Sequence, residues 1–597
     1  MVTSTTIKRT KNNNFHADAF KKLILATLIS TSCSNSFAIS DDQSPKTIAD
    51  STKPADQGEA VAQFNLGENY QYGRGVPQDD AQALSWFRKS AEQGYANAQL
   101  KLATIYYLGQ GLPQNNELAA KWYQKAAEQG DADAQFQMGV IYDLARGMPQ
   151  DYEKAAKWYR KAAEQGNAAA QLFLGILFEK GNGVPQDYSQ AVYWCQKAAD
   201  QGMAEAQNEL GVLYHKGQGV AQDYEQAAKL YRKSADQGFK NAQLNLGQLY
   251  NSGQGVPKDY AHAASWFRKA ADQGDAAAQF RLGVLFENGH GVPQDYAQAA
   301  SWYQKAADQG NAKAQTNLGQ LYNSGHGVPQ DYVQAASWYQ KAADQGNVIA
   351  QFNLGFAYQN GEGVPQDDAL AAAWLLKSAN QGYASAQSNI GVKYESGTGV
   401  QQDYGQAVMW FRKGADQGNS TAQYNLGRMY LNGTGVPKDL DLALSWERKA
   451  LTGGFKSAQN AINVITRNKG VEHSQQKLTD FMESKGFTHY YPDTGIEAAF
   501  SDIVQKATPM SELRKTLIGS NTFDGDMRAD QILDNKHVMF VSERGARRVI
   551  VQGYKGDVYE GTRLTALNVS YWRILGTKTY TTVMNTQEQV FVIAPAW

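Results

Sequence analysis

Residues Gly327–Asn347 read GVPQDYVQAASWYQKAADQGN, and Gly291–Asn311, thirty-six positions earlier, read GVPQDYAQAASWYQKAADQGN. Working outward from this near-copy, one glycine serves as a ruler. Gly67, Gly139, Gly175, Gly211, Gly247, Gly283, Gly319, Gly355, Gly391 and Gly427 fall at an unbroken spacing of 36, and Ala103 fills the one missing place. Such a fixed period is the mark of a repeat architecture. It gives eleven units between about Gly58 and Gly453, followed by a half unit, FKSAQNAINVITRNKG, with Asn463 where the glycine would stand.

Each unit reads as two helices. The first carries Ala314, Gln315, Leu318, Gly319 and Tyr322, whose spacings of three and four put them on one face. The run GHGVPQD then breaks the pattern: its glycines permit a left-handed helix end, Pro329 cannot continue a helix, and Asp331 suits an N-cap. The second helix carries Ala335, Trp338, Tyr339 and Ala342, again on one face. DQG closes it, and Asn347 and its equivalents are placed to cap the next first helix. Pro gives way to Ala221 and Gln401 in two units.

This consensus resembles the Sel1-like repeat family, a 36-residue relative of the tetratricopeptide repeat, over about two-thirds of the chain. The resemblance implies a mainly α fold: antiparallel helix pairs stacked into a right-handed α-solenoid of about eleven repeats. It also implies a scaffold or adaptor role. Some secreted members pin each pair with a disulfide; this chain has only Cys33 and Cys195. Physically, one helix pair buries too little apolar surface to offset the cost of ordering it, roughly 1–2 kcal/mol per residue for the backbone. A stacked neighbour covers the open face and continues the core.

In tetratricopeptide-like stacks the first helices line the concave side. The residue two before the ruler glycine is Asn65, Lys101, Gln137, Phe173, Glu209, Asn245, Arg281, Asn317, Asn353, Asn389 or Asn425, so asparagine fills six of eleven places. One turn on stand Glu68, Gln248, Gln320, Phe356 and Arg428; one turn back stand Asn241, Lys313 and Ile349. A carboxamide both donates and accepts, so a row of them matches an extended peptide backbone of any sequence. The expected groove is therefore Asn245, Gln248, Arg281, Asn317, Gln320, Asn353, Phe356, Asn389, Asn425 and Arg428, with a protein or extended peptide as partner. The competing reading has the asparagines bonding successive repeats to each other.

The sequence asks for no cofactor or metal. GxGVP lacks the GK[ST] of a phosphate loop. His215, His290 and His326 lie 36 or more apart with no close second ligand, and Asp524 and Asp526 lack the rest of a calcium loop. The acids of DQG and QDY sit at helix ends, as caps do. A net charge of -1 gives no electrostatic case for nucleic acid, and no apolar run is long enough to span a membrane as a helix.

The first residues place Lys8, Arg9, Lys11, Lys21 and Lys22 before LILATLIS and then TSCSNSFA, the layout of a secretory signal peptide with cleavage after Ala38. Lipid attachment at Cys33 is the rival, although STS before it lacks the usual Leu. The expected location is periplasm, cell surface or secreted. Cys195, in a slot filled elsewhere by Tyr123, Tyr159, Phe267 or Tyr303, reads as a small buried hydrophobe.

After Gly470 the period changes. Helices are expected at Ser474–Gly486, near Ile496 and at Ser511–Leu517, then strands in HVMFVS, RRVIVQG, DVYEG, RLTALNV, YWRILGTKTYTTV and QVFVIAP. The domain expectation is a signal peptide at 1–38, a linker at 39–57, the solenoid with a capping helix at 58–470, and a small α+β domain with an antiparallel sheet at 471–597. No catalytic set stands out. His489, Tyr490, Tyr491 and Asp493 read as a polar loop, and Arg544, Arg547 and Arg548 as a solvated turn. The first reading is a non-enzymatic, exported interaction protein. The alternative is an envelope enzyme acting on peptidoglycan or a similar polymer, its chemistry in the C-terminal domain and its repeats a docking arm.

Overall fold

The computed structural model describes residues 53–484 and the backbone of five strands between 527 and 594. The expected signal peptide, Cys33, the helices near Ile496 and at Ser511–Leu517, the loop from His489 to Asp493, Asp524, Arg544, Arg547 and the strands DVYEG and RLTALNV lie outside the described residues. The chain divides into two compact units, Met1–Gln330 and Asp331–Trp597. Repeats are numbered 1 to 11 from Ala60.

The first unit holds seven helix pairs and the first helix of the eighth. In repeat 4 the first helix, Ala168–Lys180, starts where the Asn167 side chain accepts the Ala170 N–H. It ends at Gly181 in the left-handed conformation. The second, Tyr188–Asp200, starts where Asp187 accepts the Gln190 N–H. Each such cap satisfies a donor the helix leaves unpaired. Second helices are capped this way throughout, by Asn115 in repeat 2 and by aspartate elsewhere. The first-helix expectation holds only in part: Glu59, Tyr95, Met203, Phe239 and Tyr383 cap without a side-chain bond, since Tyr, Met and Phe carry no short acceptor.

Between the two helices the chain crosses the repeat before it. A Cβ on Gly183, at φ 68°, would lie 2.2 Å from the carbonyl oxygen of Tyr152, so the turn admits no side chain. The ruler glycine has a different reason. A Cβ on Gly139 would stand 2.4 Å from the ring of Tyr159, which is wholly buried against it. Phe87, Tyr231, Phe267 and Tyr303 fill the same slot, and in repeat 4 the Cys195 sulfur does so. Burying one such ring contributes about 1.5–3 kcal/mol. Cys195 is buried and burial pushes its thiol pKa well up, the opposite of a reactive thiolate.

A buried carboxamide closes each seam. Gln171 Nε2 donates to the Ala163 carbonyl of the preceding repeat at 3.0 Å. Its Oε1 accepts from Gln201 Nε2 at 2.8 Å, and Gln201 also donates to the Gly166 carbonyl at 2.9 Å. Both helices of repeat 4 are thus bonded to repeat 3. The equivalent glutamines 99, 135, 207, 243, 279 and 315 repeat the first of these bonds. At the start of the array Gln63 donates to Ala55, and residues 53–56 are helical with Ala55 buried. The end of the expected linker is therefore a remnant of a second helix: ADQG at 55–58 is the motif that closes six of the eleven units, and Pro54 suits a first helical turn.

The second unit holds the second helix of repeat 8, Tyr332–Asp344, then repeats 9 to 11, with the same seams at Gln351, Gln387 and Gln423. Slot residues are Leu375, Phe411 and Glu447. A helix from Ala458 to Ser484 follows, its Ala458 and Ile465 wholly buried. The expected cap and the expected helix from Ser474 are one element. Gly470 does not end it, because a lone glycine costs a helix only about 1 kcal/mol.

The described strands are β1 (Met527–Asp534), β2 (His537–Ser542), β3 (Arg548–Gln552), β4 (Arg573–Thr581) and β5 (Gln587–Ala594), in the order β1-β2-β3-β5-β4. Three pairings are antiparallel, but β3 and β5 run parallel, so the all-antiparallel expectation does not hold. β3 reaches its partner by a connection longer than a hairpin, as parallel pairing requires. β1 was not expected as a strand. Among the described residues no helix is long and apolar enough to cross a membrane.

Candidate functional site

The sequence places its candidates on the first helices, and the structure shows what each side chain does there. In the first unit Asn245 Nδ2 donates to Asn208 Oδ1 of the preceding repeat at 3.0 Å. Asn317 Nδ2 donates to the Tyr303 hydroxyl at 3.0 Å, and that hydroxyl donates to Glu287 Oε2 at 2.5 Å. Arg281 is half-buried with its guanidinium over the Phe267 ring, 6.0 Å from its centre. Gln248 and Gln320 are exposed.

In the second unit Asn353 is hydrogen-bonded to the Tyr339 hydroxyl. Asn389 Nδ2 donates to the Ser385 carbonyl one turn back at 2.8 Å. Asn425 is buried, and Phe356 packs edge-on against Phe352. Arg428 donates to Glu395 Oε1 at 3.0 Å. Four of the asparagines thus spend one amide bond inside the protein, and three of those bonds reach the preceding repeat. Each carboxamide keeps a second N–H beyond the donor bond named here. The free polar surface of the row lies mainly with Gln248 and Gln320.

A second row shares this face and was missed. The residue four after the ruler position is Tyr107, Asp143, Glu179, His215, Asn251 or Glu287 in repeats 2 to 7. Asp143 is buried and accepts from the Tyr159 hydroxyl at 3.2 Å. Burial raises its pKa to about 6, while the Tyr159 bond and the Lys180 charge pull the other way. Glu179 Oε1 lies 3.6 Å from Lys216 Nζ. Burial first and then the Glu179 charge hold Glu209 well above the ordinary carboxylate range. A census taken four residues after the glycine, as well as three, would have found these acids.

Glu447 occupies the ring slot of repeat 11 with no exposed surface. Neither carboxyl oxygen has a hydrogen-bond partner. Burial raises its pKa to about 8, against the pull of Arg428. Nothing in the repeat pattern foretells an acid there. The turn histidines stack on tyrosines, His290 on Tyr260 at 4.7 Å and His326 on Tyr296 at 5.1 Å. Along the second helices a lysine stands over the tryptophan three residues earlier, as in Trp302–Lys305 at 3.9 Å and Trp374–Lys377 at 3.5 Å. Such contacts contribute about 0.5–1 kcal/mol at exposed sites. What the first-helix face offers is recognition by amides, carboxylates and half-buried guanidinium groups.

The Sel1 repeat family model matches eleven consecutive segments that tile residues 60–455 without a gap. The crystal structure of c5321, a protective antigen present in uropathogenic Escherichia coli strains and displaying an SLR fold, is 39% identical. It covers 70% of this chain and 90% of its own, with a TM-score of 0.63. A Sel1 repeat protein from Oxalobacter formigenes is 38% identical over 50% of this chain and 88% of its own, with a TM-score of 0.43. No curated protein sequence matches the chain.

Proposed function

The chain belongs to the Sel1 repeat family, and on that premise we propose that it is an exported, non-enzymatic scaffold holding partner proteins on the first-helix faces of its repeats. One observation carries the reading. Core and seam positions recur almost unchanged from repeat to repeat, whereas the residue two before the ruler glycine runs through Asn, Lys, Gln, Phe, Glu and Arg. A fixed frame with one changing face is the arrangement of a recognition surface.

The basic, apolar and small-residue order of the first 38 residues supports export, and the description of the Escherichia coli relative as a protective antigen agrees with it. The C-terminal residues, which share the helix Ala458–Ser484 with the end of the repeats, supply a second contact; the paired strands after residue 526 support this reading.

Asn317 and Asn353 are poor probes, because removing either amide also strips a tyrosine hydroxyl of its partner. Gln248 and Gln320 are better. A photo-crosslinking residue at either position traps a defined protein in intact cells, and the same residue at exposed Ser301 on a second helix does not. Equal trapping from both helix faces removes the proposal.

A further inference from the structure

On the first-helix face of the first unit, two acids of the row four after the ruler position are already answered. Glu179 has Lys216 Nζ at 3.6 Å, and Asp143 is buried with the Tyr159 hydroxyl as its donor. Glu287, on the first helix of repeat 7, Ala276–Asn288, stands otherwise. It is half-buried and makes no ion pair among the described residues. The cations around it are turned to rings instead. Arg281 lies over Phe267, Arg268 over Phe286 and Trp302, and Lys305 over Trp302.

One oxygen of Glu287 is held in place. Tyr303, wholly buried in the ring slot, gives its single hydroxyl proton to Glu287 Oε2 at 2.5 Å and accepts from Asn317 Nδ2 of repeat 8 at 3.0 Å. The direction of both bonds is forced, since an amide N–H only donates and a carboxylate only accepts. Two acceptors are left over, Glu287 Oε1 and Asn317 Oδ1. Neither has a partner among the described residues, and neither is sealed from solvent as the Glu447 oxygens are.

We propose that Glu287 and Asn317 form a subsite for a cationic side chain, lysine or arginine, of the partner; this rests on the scaffold reading above. An ammonium or guanidinium group carries several donors and no acceptor, so it matches two acceptors that share one negative charge. A hydroxyl or amide leaves that charge unanswered, and an acid is repelled. The half-buried setting makes the pairing worth more than an exposed ion pair, which salt and water screen. Tyr303 has already fixed the carboxylate, so little ordering remains to be done on binding. Gln320, exposed one turn on from Asn317, offers its amide to the backbone of the same segment.

The test selects peptides from a random displayed library on the immobilised full chain. Selected peptides carry lysine or arginine, and Glu287→Gln, which still accepts the Tyr303 proton, binds them about tenfold or more weakly with its melting unchanged. Replacing that lysine by norleucine, or the arginine by citrulline, costs the same factor on wild type and little further on Glu287→Gln. Asp308→Asn, at an exposed acid ending the second helix of repeat 7, leaves binding as it was. Peptides without a basic residue, equal binding by wild type and Glu287→Gln, or an equal loss from Asp308→Asn overturn the subsite and leave the scaffold standing. A library that yields no binder overturns the subsite too, and the scaffold reading then rests on the crosslinking at Gln248 and Gln320. Should Glu287→Gln fail to fold, wild type decides. A photo-crosslinking residue in place of the peptide's basic one attaches within Ala276–Asn288 or Ala312–Ser324, and attachment elsewhere overturns the subsite.

Discussion

At the scale of single residues, the repeat shows which positions tolerate departure and which do not. Repeat 3 ends its first helix on Ala145, a non-glycine residue at φ 55°, where the other repeats have glycine. Ala145→Gly is expected to raise stability by about 1 kcal/mol, read from the urea midpoint. Glu447 is the larger anomaly. Its carboxyl is raised from 4.5 to about 8 by burial, so the folded state holds the extra proton. The contribution of this residue is fully present below about 4.5 and is lost as pH rises through about 8. Glu447→Tyr, which restores the ring of other repeats, should flatten that loss and add about 1–3 kcal/mol at neutral pH, checked by melting the second unit across pH. Asp368 and Lys393 are a matched exchange: Lys393 takes a core position held by Leu or Ile in repeats 2 to 8 and pairs with Asp368 at 2.8 Å. Asp368→Ala should therefore destabilise more than Lys393→Leu, since only the first leaves a buried ammonium unpaired; the two variants' urea midpoints decide it.

At the scale of helices and turns, the glutamine seam is testable directly. Gln171→Ala leaves the Ala163 carbonyl without its partner and Gln201 with only its bond to Gly166, and should cost about 1–3 kcal/mol by urea unfolding. The two kinds of turn glycine should differ. A Cβ on Gly183 meets the Tyr152 backbone at 2.2 Å, whereas one on Gly166 meets nothing within 4 Å. Gly166→Ala then pays only the strain of its positive φ, and Gly183→Ala should be the more damaging by a clear margin in melting temperature. Helices, turns and the ring slot were legible in the sequence because period and capping are local. Gln171 could be read as recurrent but not as bonded, because both its partners lie in other elements. The acid row was missed for the same reason: Glu179 and Glu209 are thirty positions apart and come near each other only through stacking. β1 escaped because MRADQILD lacks the β-branched run of the other strands, and its pairing with β2 across Asn535 and Lys536 is what reveals it.

At the scale of the whole molecule, stability accumulates from one repeat to the next, so unfolding should not be a single all-or-none event. Ending the chain after Gly454 removes the helix that buries Ala458 and Ile465. Amides of Ser420–Asn432 and Leu440–Thr452 should then lose protection in hydrogen exchange while Ala168–Lys180 keeps its own; uniform loss throughout would contradict a nearest-neighbour assembly. The glutamine seam has one more consequence. Because Gln171, Gln207 and Gln243 fasten their repeats to the ones before through the same atoms, any internal unit can follow any other. Recombination between the near-identical coding segments can insert or delete a block of 36 codons and still leave a well-joined product. Array length is thus a trait that drift and selection can alter in whole steps, except where a private pair such as Asp368 and Lys393 obliges two adjacent blocks to be inherited together.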